Sequence, residues 1–358
     1  MEGNLRDGEV VITHMEITKQ DSKILKGVAI LGLLMLHLFC RKENLPYTPL
    51  LMLGNTPFVY YLGLFGDICV PIFCFVSGYA HYMQTEKPAG ARKRWGSLLK
   101  FFIQLWTIAV LFSIIGLITR SESIPGSPLD FLLNCLTASN SYNGAWWYAN
   151  TYLLFALLQP ISAKCMRKVP IVVSLTFAFF FYCVGYLFRF RLAPFFREGL
   201  PSVAFEILNR VALFMTSFFT YAVGMAFRRL RTIEKLRTWT AGLKSWLVNC
   251  LVLFGFIAMI AAHGLVQSLF VSVFTGVATV CLLCLARIPE AVRKGLAFLG
   301  EHSTCVWLSH MFFYVEPFPL LVYKAVWAVP VLLLTLALSL LVSFAVRGIC
   351  HPLIKRIH

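Results

Sequence analysis

The sequence predicts an all-α integral membrane protein of about ten transmembrane helices with both termini in the cytoplasm, and three observations support this fold class. The 358-residue chain is 59% hydrophobic and only 13% charged, with a mean hydropathy of +0.75, which is far more apolar than a globular enzyme of this length. Its apolar residues form long runs between charged or Pro/Gly-containing loops. Its basic residues are concentrated in alternate loops.

The apolar runs define ten candidate spans. In chain order they cover residues 24–40, 57–83, 98–118, 146–163, 171–188, 204–227, 246–262, 264–286, 296–314 and 329–346. Only two residues separate the seventh and eighth spans, so His263 could instead mark the kink of one broken helix. No polar run is long enough for a soluble domain. The sequence therefore predicts one membrane domain, 24–346, between a cytoplasmic segment 1–23 and a basic cytoplasmic tail 347–358.

The distribution of basic residues predicts the orientation. With the N-terminus inside, 24 of the 32 Lys and Arg residues fall in cytoplasmic segments, seven fall in outer loops and Arg210 lies within a span. The first apolar run follows a polar segment and ends in Arg41-Lys42 without a cleavage pattern, so we expect no secretory signal. The chain has 32 basic residues against 16 acidic ones, and we attribute this excess of basic residues to the topology. No basic helix or basic-aromatic motif indicates nucleic-acid binding.

The outer loop 119–145 is longer and more polar than the other loops. Its apolar core, FLLNCL, is too short to cross a bilayer. The loop is therefore either partly re-entrant or interfacial, packed against protein, or an ordinary amphipathic surface loop.

Ionisable residues at membrane depth are costly, so each one is a candidate for function. They are His37, Asp67, Glu206, Arg210 and His310. Glu206 and Arg210 are four residues apart on one helix, which favours a structural ion pair. Asp67 could cap a broken helix or contact substrate. His310 lies near the outer end of its span, where a histidine bonded to a carbonyl is common.

His37 stands out because of its spacing from Lys26. Eleven residues of helix place the two about 16 Å apart along the axis and within about 20° of one face. That face carries a cation at the cytoplasmic mouth and an imidazole near mid-membrane, which suits a long ligand with an anionic end. Only fourteen residues separate Lys26 from Arg41, fewer than the about 17–25 that a span needs, so the helix should face a cavity rather than lipid.

A second basic cluster, Arg92-Lys93-Arg94, opens the third span. Paired guanidinium groups suit phosphate binding, although the cluster could serve only as a topology signal. The sequence contains no nucleotide-binding glycine loop, HExxH, GxSxG or zinc-ligand spacing, and its eleven cysteines lie mostly in apolar runs. We therefore expect no metal site and no disulfides.

Five motifs occur in order over nearly the whole chain. They are Lys26 and His37 with ten residues between them, VPIFCFVSGY with Ser77, Arg92-Lys93-Arg94, AWWYANTYLLFALLQPI with Trp147, and LGEHSTCVWLSH ending at His310. Together they resemble the acyltransferase-3 family of membrane-bound bacterial O-acyltransferases. Two positions depart from the family pattern, since Lys26 replaces the commoner Arg and Cys74 replaces a Phe.

The resemblance implies a fold of about ten helices in a bacterial cytoplasmic membrane, and a cytoplasmic acyl-coenzyme A donor, acetyl-coenzyme A above all. The acyl group would pass to a hydroxyl of a glycan or a lipid-linked sugar. Because the chain ends twelve residues after its last predicted span, we expect transfer to finish in the membrane domain or on a separate protein.

The leading hypothesis assigns roles to individual residues on this basis. Lys26, Arg92 and Arg94 would bind the donor phosphates, and His37 would act as general base, with His310 as a second catalytic candidate. The substrate cavity would be lined by Asp67, Ser77, Trp147, Glu206 and Arg210. An acyl-histidine intermediate stays open as a covalent variant.

Two other function classes compete with the acyltransferase. A proton-coupled secondary transporter could relay protons through His37, Asp67 and Glu206, although the sequence has no detectable inverted repeat. A sensor or scaffold would leave the alignment of Lys26 with His37 unexplained.

Overall fold

The computed structural model describes residues 16–86 and 90–355, which form fourteen α-helices and a small hairpin. The helices are α1 Lys19–Phe39, α2 Phe58–Phe65, α3 Cys69–Thr85, α4 Gly90–Thr119, α5 Pro128–Cys135, α6 Trp147–Lys168, α7 Ile171–Leu187, α8 Ala193–Gly199, α9 Ser202–Leu230, α10 Thr232–Thr240, α11 Ser245–Val266, α12 Ser272–Leu285, α13 Glu290–Ser309 and α14 Ala328–Lys355. The hairpin pairs β1 Met52–Leu53 with β2 Thr56–Pro57. Residues 1–15, 87–89 and 356–358, which belong to the predicted N-terminal segment, the 84–100 loop and the tail, lie outside the described residues.

The all-α membrane fold is confirmed. Seven spans within the described residues are long and apolar enough to cross a membrane: α1, α2–α3, α4, α7–α8, α9, α11 and α14. Each of the ten predicted segments falls on one or two of the helices, and α12 is a shorter apolar helix. Large apolar side chains such as Phe180, Phe254 and Leu333 are exposed on the outside of the bundle. A bilayer would solvate this surface, so the protein is an integral membrane protein.

The first helix is longer than the sequence pattern predicts. The Thr18 side chain accepts the backbone N–H of Asp21, whose carboxylate accepts the backbone N–H of Thr18, so α1 begins at Lys19. The helix has 21 residues, enough to span a membrane. The predicted start at residue 24 and the shortened span are therefore wrong, and His37 lies in the last turn of α1 rather than at its middle.

Ion pairs hold many helix termini together at one end of the bundle. They join Asp21 to Arg237 at 3.1 Å, Lys23 to Glu301 at 2.9 Å and Arg228 to Glu86 at 2.8 Å. These contacts gather the start of α1, the ends of α3 and α9, the helix α10 and the middle of α13. We call this the basic end, and we call the opposite end, which carries residues 119–145 and the hairpin, the loop end.

Backbone contact between α1 and α13 is unusually close. A Cβ atom on Gly300 of α13 would lie 1.8 Å from the Lys23 carbonyl oxygen, and one on Gly27 of α1 would lie 2.0 Å from the Leu296 carbonyl oxygen. Small residues that let helix backbones approach are a common basis of packing in membranes. This contact fixes α1, with Lys26 and His37, against α13.

The break between the seventh and eighth predicted spans is displaced. Helix α11 continues through His263 to Val266, and Gln267 ends it with a left-handed backbone conformation, φ +47°, whose N–H donates to the His263 carbonyl. Helix α12 begins at Ser272. The predicted division at His263 is therefore wrong, and so is the alternative of one helix broken there, because the break between α11 and α12 lies at residues 267–271.

The outer loop folds around the short helix α5. Ser127 and Asp130 form a capping box at its start, and Trp106 Nε1 of α4 donates to the Cys135 carbonyl at 2.9 Å at its end. Leu129 and Leu132 are exposed on its surface. The loop is therefore an ordered amphipathic segment attached to the bundle.

The orientation of the bundle can be tested by cysteine labelling. Lys93 is exposed on the first turn of α4, near the basic end, and Lys324 is exposed at the loop end. We expect a membrane-impermeant maleimide to label Lys93→Cys from the cytoplasmic side and Lys324→Cys from the opposite side, each above the signal of the native cysteines. Labelling of Lys93→Cys from the outside alone would reverse the orientation and contradict a cytoplasmic donor site at the basic end.

Candidate functional site

A cavity of about 540 Å³ lies inside the bundle, lined by side chains from α1, α3, α4, α6, α7, α9, α12 and α13. At the basic end its wall includes Lys26, Ser97 and Lys100. Toward the loop end its wall includes Tyr186 and Arg189. One cavity is therefore lined by cationic groups near the two ends of the bundle.

Helix α1 presents one face to this cavity. Lys26, Leu33 and His37 all line it, and their spacings of seven and four residues return to the same side of a helix. Lys26 and His37 are about 16 Å apart along the axis. The two predicted residues thus share one cavity, with the cation nearer the basic end and the imidazole nearer the loop end.

The basic end of the cavity differs from the predicted phosphate site. Neither Arg92 nor Arg94 is among the lining residues: Arg92 is exposed, and Arg94 is partly buried one turn before Ser97. Lys100, which the sequence reasoning missed, does line the cavity. Its three- and four-residue spacings from Ser97 and Gln104 place Lys100 on one helical face with them, but the sequence does not show that this face meets the cavity.

His37 and His310 form a pair at the loop-end side. Their ring centroids are 5.1 Å apart in an edge-to-face arrangement, and His310 is fully buried. His310 Nδ1 lies 2.8 Å from the Trp307 carbonyl oxygen, which can only accept, so Nδ1 carries a proton and donates it. In the neutral ring Nε2 then holds the lone pair, and it has no hydrogen-bond partner among the described residues. Only His37 of this pair lines the cavity.

The turn before α6 is bonded to the end of α13. Asn143 Nδ2 and Trp146 Nε1 both donate to the Leu308 carbonyl at 3.0 Å, and Trp307 Nε1 donates to the Ala145 carbonyl at 3.1 Å. These bonds give a structural role to Trp146, the first tryptophan of the AWWY motif, because they attach this turn to the chain just before His310.

Three predicted cavity residues do line the cavity: Asp67, Ser77 and Trp147. Asp67 lies in a 3-10 turn between α2 and α3, and its Oδ2 is 3.1 Å from Nε2 of His263, with both side chains buried. Asp67 therefore lines the cavity as predicted, but its carboxylate contacts His263 of α11 and forms no side-chain cap at α2 or α3. Within residues 16–86 and 90–355, no three His, Cys, Asp or Glu side chains cluster closely enough to hold a metal ion.

Glu206 and Arg210 lie outside the cavity lining. Arg210 Nε is 2.9 Å from Glu206 Oε1, and its terminal nitrogens donate to the carbonyls of Thr137 and Ala138 at 2.8 and 2.7 Å. The predicted ion pair is therefore present, and the guanidinium attaches the outer loop to α9. Arg210 therefore has a structural role. The expectation that Glu206 and Arg210 line the substrate cavity is wrong.

Comparison with known proteins gives one match. The sequence model of a family described as an acyltransferase domain, acyltransferase 3, matches residues 20–348. No curated protein and no solved structure shows a significant match to the chain. The matched region contains every residue that lines the cavity.

Proposed function

Because the chain belongs to the acyltransferase-3 family, we propose that it moves an acyl group from cytoplasmic acyl-coenzyme A to a hydroxyl of a glycan or lipid-linked sugar. Family membership makes it a membrane acyltransferase that transfers groups other than aminoacyl groups. The donor, with acetyl-coenzyme A as our first choice, the acceptor and the residue roles belong to the proposal. So does a location in a bacterial cytoplasmic membrane. The observation that carries it is the single cavity lined by both Lys26 and His37.

The basic end offers a site for the donor's phosphates. Lys26 and Lys100 bring ammonium groups to the cavity wall, and the Ser97 hydroxyl stands beside them. Arg94 is one helical turn further out and partly buried, so it can contact a phosphate that protrudes from the mouth. Lysine binds phosphate as a compact point charge, which compensates in part for the arginine that the family pattern has at Lys26.

His37 is placed to act as the general base. With the phosphates near Lys26, the pantetheine arm would extend along α1 and bring the thioester carbonyl toward His37, about 16 Å away. The imidazole would take the proton of the acceptor hydroxyl as its oxygen attacks the carbonyl carbon, and would return that proton to the departing thiolate of coenzyme A. The alternative, attack by an imidazole nitrogen to give an acyl-histidine, uses the same position.

The transporter alternative gains no support. It requires protons to pass between His37, Asp67 and Glu206. Glu206 lies outside the cavity lining, and its carboxylate is paired with Arg210. The three groups therefore do not share one cavity.

The proposed reaction can be tested with purified protein in detergent, radiolabelled acetyl-coenzyme A and a panel of lipid-linked sugars. We expect label to move to one of the sugars, or acetyl-coenzyme A to be slowly hydrolysed when no acceptor is present. If the protein shows no transfer and no hydrolysis, and reconstituted vesicles take up a solute driven by protons, the transporter would replace the proposed enzyme.

Donor affinity provides a separate prediction for the basic end. We expect Lys26→Met, which removes the charge and keeps most of the side-chain length, to weaken coenzyme A binding by about 1–3 kcal/mol, the scale of one charge-assisted hydrogen bond. Arg94→Ala should weaken it within the same range, and Arg92→Ala by less, because Arg92 is exposed. Titration calorimetry with coenzyme A measures these changes.

Lys164 provides a control. It is an exposed lysine near the C-terminal end of α6, and it lies outside the cavity lining. Lys164→Ala should leave coenzyme A affinity unchanged. Equal affinities for wild type, Lys26→Met and Arg94→Ala would remove the donor site from the basic end and leave these residues a topological role.

A further inference from the structure

The part of the cavity toward the loop end carries a cation that the donor chemistry does not use. Arg189 lines the cavity, in a stretch of the chain that the sequence analysis assigned only to a span and its outer loop. It belongs to a π-helical turn, Phe188–Leu192, between α7 and α8. Such π-turns within helices are frequent at functional sites because they redirect side chains that a regular helix would place elsewhere.

Arg189 has no carboxylate within ion-pair distance among the described residues. Its guanidinium carbon lies 5.2 Å from the centroid of the Phe190 ring. By contrast, Arg210 is paired with Glu206. Asp67, the acidic residue that lines the cavity, is already 3.1 Å from His263. An unpaired guanidinium at a cavity wall is suited to an anionic group brought by a ligand.

The surroundings of Arg189 are rigid and aromatic. Tyr182 donates its hydroxyl to the Phe270 carbonyl at 2.9 Å, and the Tyr186 hydroxyl is 2.9 Å from Ser268 Oγ. Both tyrosines line the cavity with Phe190, whose ring centroid is 4.6 Å from that of Tyr186. The anion site is therefore bordered by fixed apolar ring faces.

Arg189 also lies close to the lipid-facing surface. Its neighbours Leu187 and Phe190 are exposed on the outside of the same helical segment, which is one of the candidate membrane spans. Arg189 is the nineteenth residue of this 29-residue segment, and an arginine side chain can extend from within a span toward the level of the lipid phosphates. A phosphate attached to a lipid can reach this depth from the bilayer, whereas the donor is proposed to enter at the basic end.

We propose that Arg189 binds the phosphate of a lipid-borne acceptor, and so holds the acceptor in the loop-end part of the cavity that His37 also lines. This inference rests on the proposed acyl transfer for its meaning, but phosphate binding at Arg189 is a property that can be measured without activity. The guanidinium group would donate bidentate hydrogen bonds to two phosphate oxygens, a geometry that a lysine at this position could not provide.

The test compares two probes that differ only in the phosphate, farnesyl phosphate and farnesol, for binding to the purified full-length protein in neutral detergent. We expect Arg189→Gln to weaken farnesyl phosphate binding about 5- to 150-fold and to leave farnesol binding unchanged. Arg189→Lys should restore only part of the affinity. Arg191→Gln is the matched control, because Arg191 is in the same π-turn but exposed and outside the cavity lining, and it should bind both probes as the wild type does.

Three results would overturn the proposal. The first is an equal loss of affinity for farnesyl phosphate and farnesol in Arg189→Gln. The second is a loss of farnesyl phosphate affinity in Arg191→Gln as large as that in Arg189→Gln. The third is displacement of farnesyl phosphate by the bilayer phospholipid phosphatidylglycerol at equal concentration, which would assign the site to structural lipid. A failure of wild type to use acetyl-coenzyme A would contradict the proposed function alone, since binding of the probes is read separately. Where transfer occurs, Arg189→Gln should raise KM for a phosphate-linked sugar, whereas Arg191→Gln should leave that KM unchanged.

Discussion

His37→Ala is expected to remove most of the acyl-transfer rate, by roughly a hundred- to ten-thousand-fold, while coenzyme A still binds with near wild-type affinity. The imidazole lines the cavity about 16 Å from Lys26, so its loss removes the base without touching the proposed phosphate site. Transfer rates and coenzyme A affinity should be measured on the same preparation. The wild-type rate should also fall at low pH, because a protonated imidazole cannot accept the proton of the acceptor hydroxyl.

The control for this variant is His351→Ala, since His351 is exposed in the last turns of α14 and lies outside the cavity lining. It should transfer acyl groups at the wild-type rate. A His37→Ala protein that retains near wild-type transfer would end the proposed mechanism. His310 would then be the next candidate base. Its Nδ1 donates to the Trp307 carbonyl at 2.8 Å, which leaves the lone pair on Nε2.

Gly300→Ala is expected to produce the largest loss of stability. Its new Cβ would lie 1.8 Å from the Lys23 carbonyl oxygen, so α1 and α13 must separate. Overpacking of this kind costs about 1–3 kcal/mol and occasionally more, and a backbone oxygen cannot move aside as a side chain can. Because α1 carries His37 and α13 leads directly into His310, we expect transfer activity to fall together with the thermal unfolding midpoint in detergent.

Gly295→Ala is a matched control on the same helix. A Cβ at Gly295 meets nothing within 4 Å, and alanine favours a helix over glycine by about 1 kcal/mol, so this variant should be unchanged or slightly more stable. Equal melting temperatures for the two variants would mean that close contact between α1 and α13 does not determine the stability of the site.

Local patterns predicted the parts of the structure that depend on local chemistry. Lys26 and His37 share a helical face because helix geometry fixes the positions of residues eleven apart, whatever surrounds them. The Glu206–Arg210 pair likewise follows from a four-residue spacing on one helix. The signal for the true start of α1 was also local, since Thr18 and Asp21 have the spacing of a capping box.

Long-range contacts account for what the sequence did not predict. The hydropathy boundary of α1 stopped at charged residues whose partners, Arg237 and Glu301, lie more than 200 residues further along the chain. The contact between Asp67 and His263 joins two helices in the same way. Whether Lys100 or Arg92 faces the cavity depends on how α4 is rotated against its neighbours, and no spacing within α4 determines that rotation.

The central claim is that a donor bound at the basic end is used at His37, near the other end of one cavity. The most direct measurement is acyl transfer in reconstituted vesicles whose protein orientation is known from Lys93→Cys labelling, with radiolabelled acetyl-coenzyme A on one side and a lipid-linked sugar in the bilayer. The account predicts that label reaches the sugar only when the donor is on the side of the basic end. Transfer of equal rate from either side, or only from the side of the loop end, would contradict it.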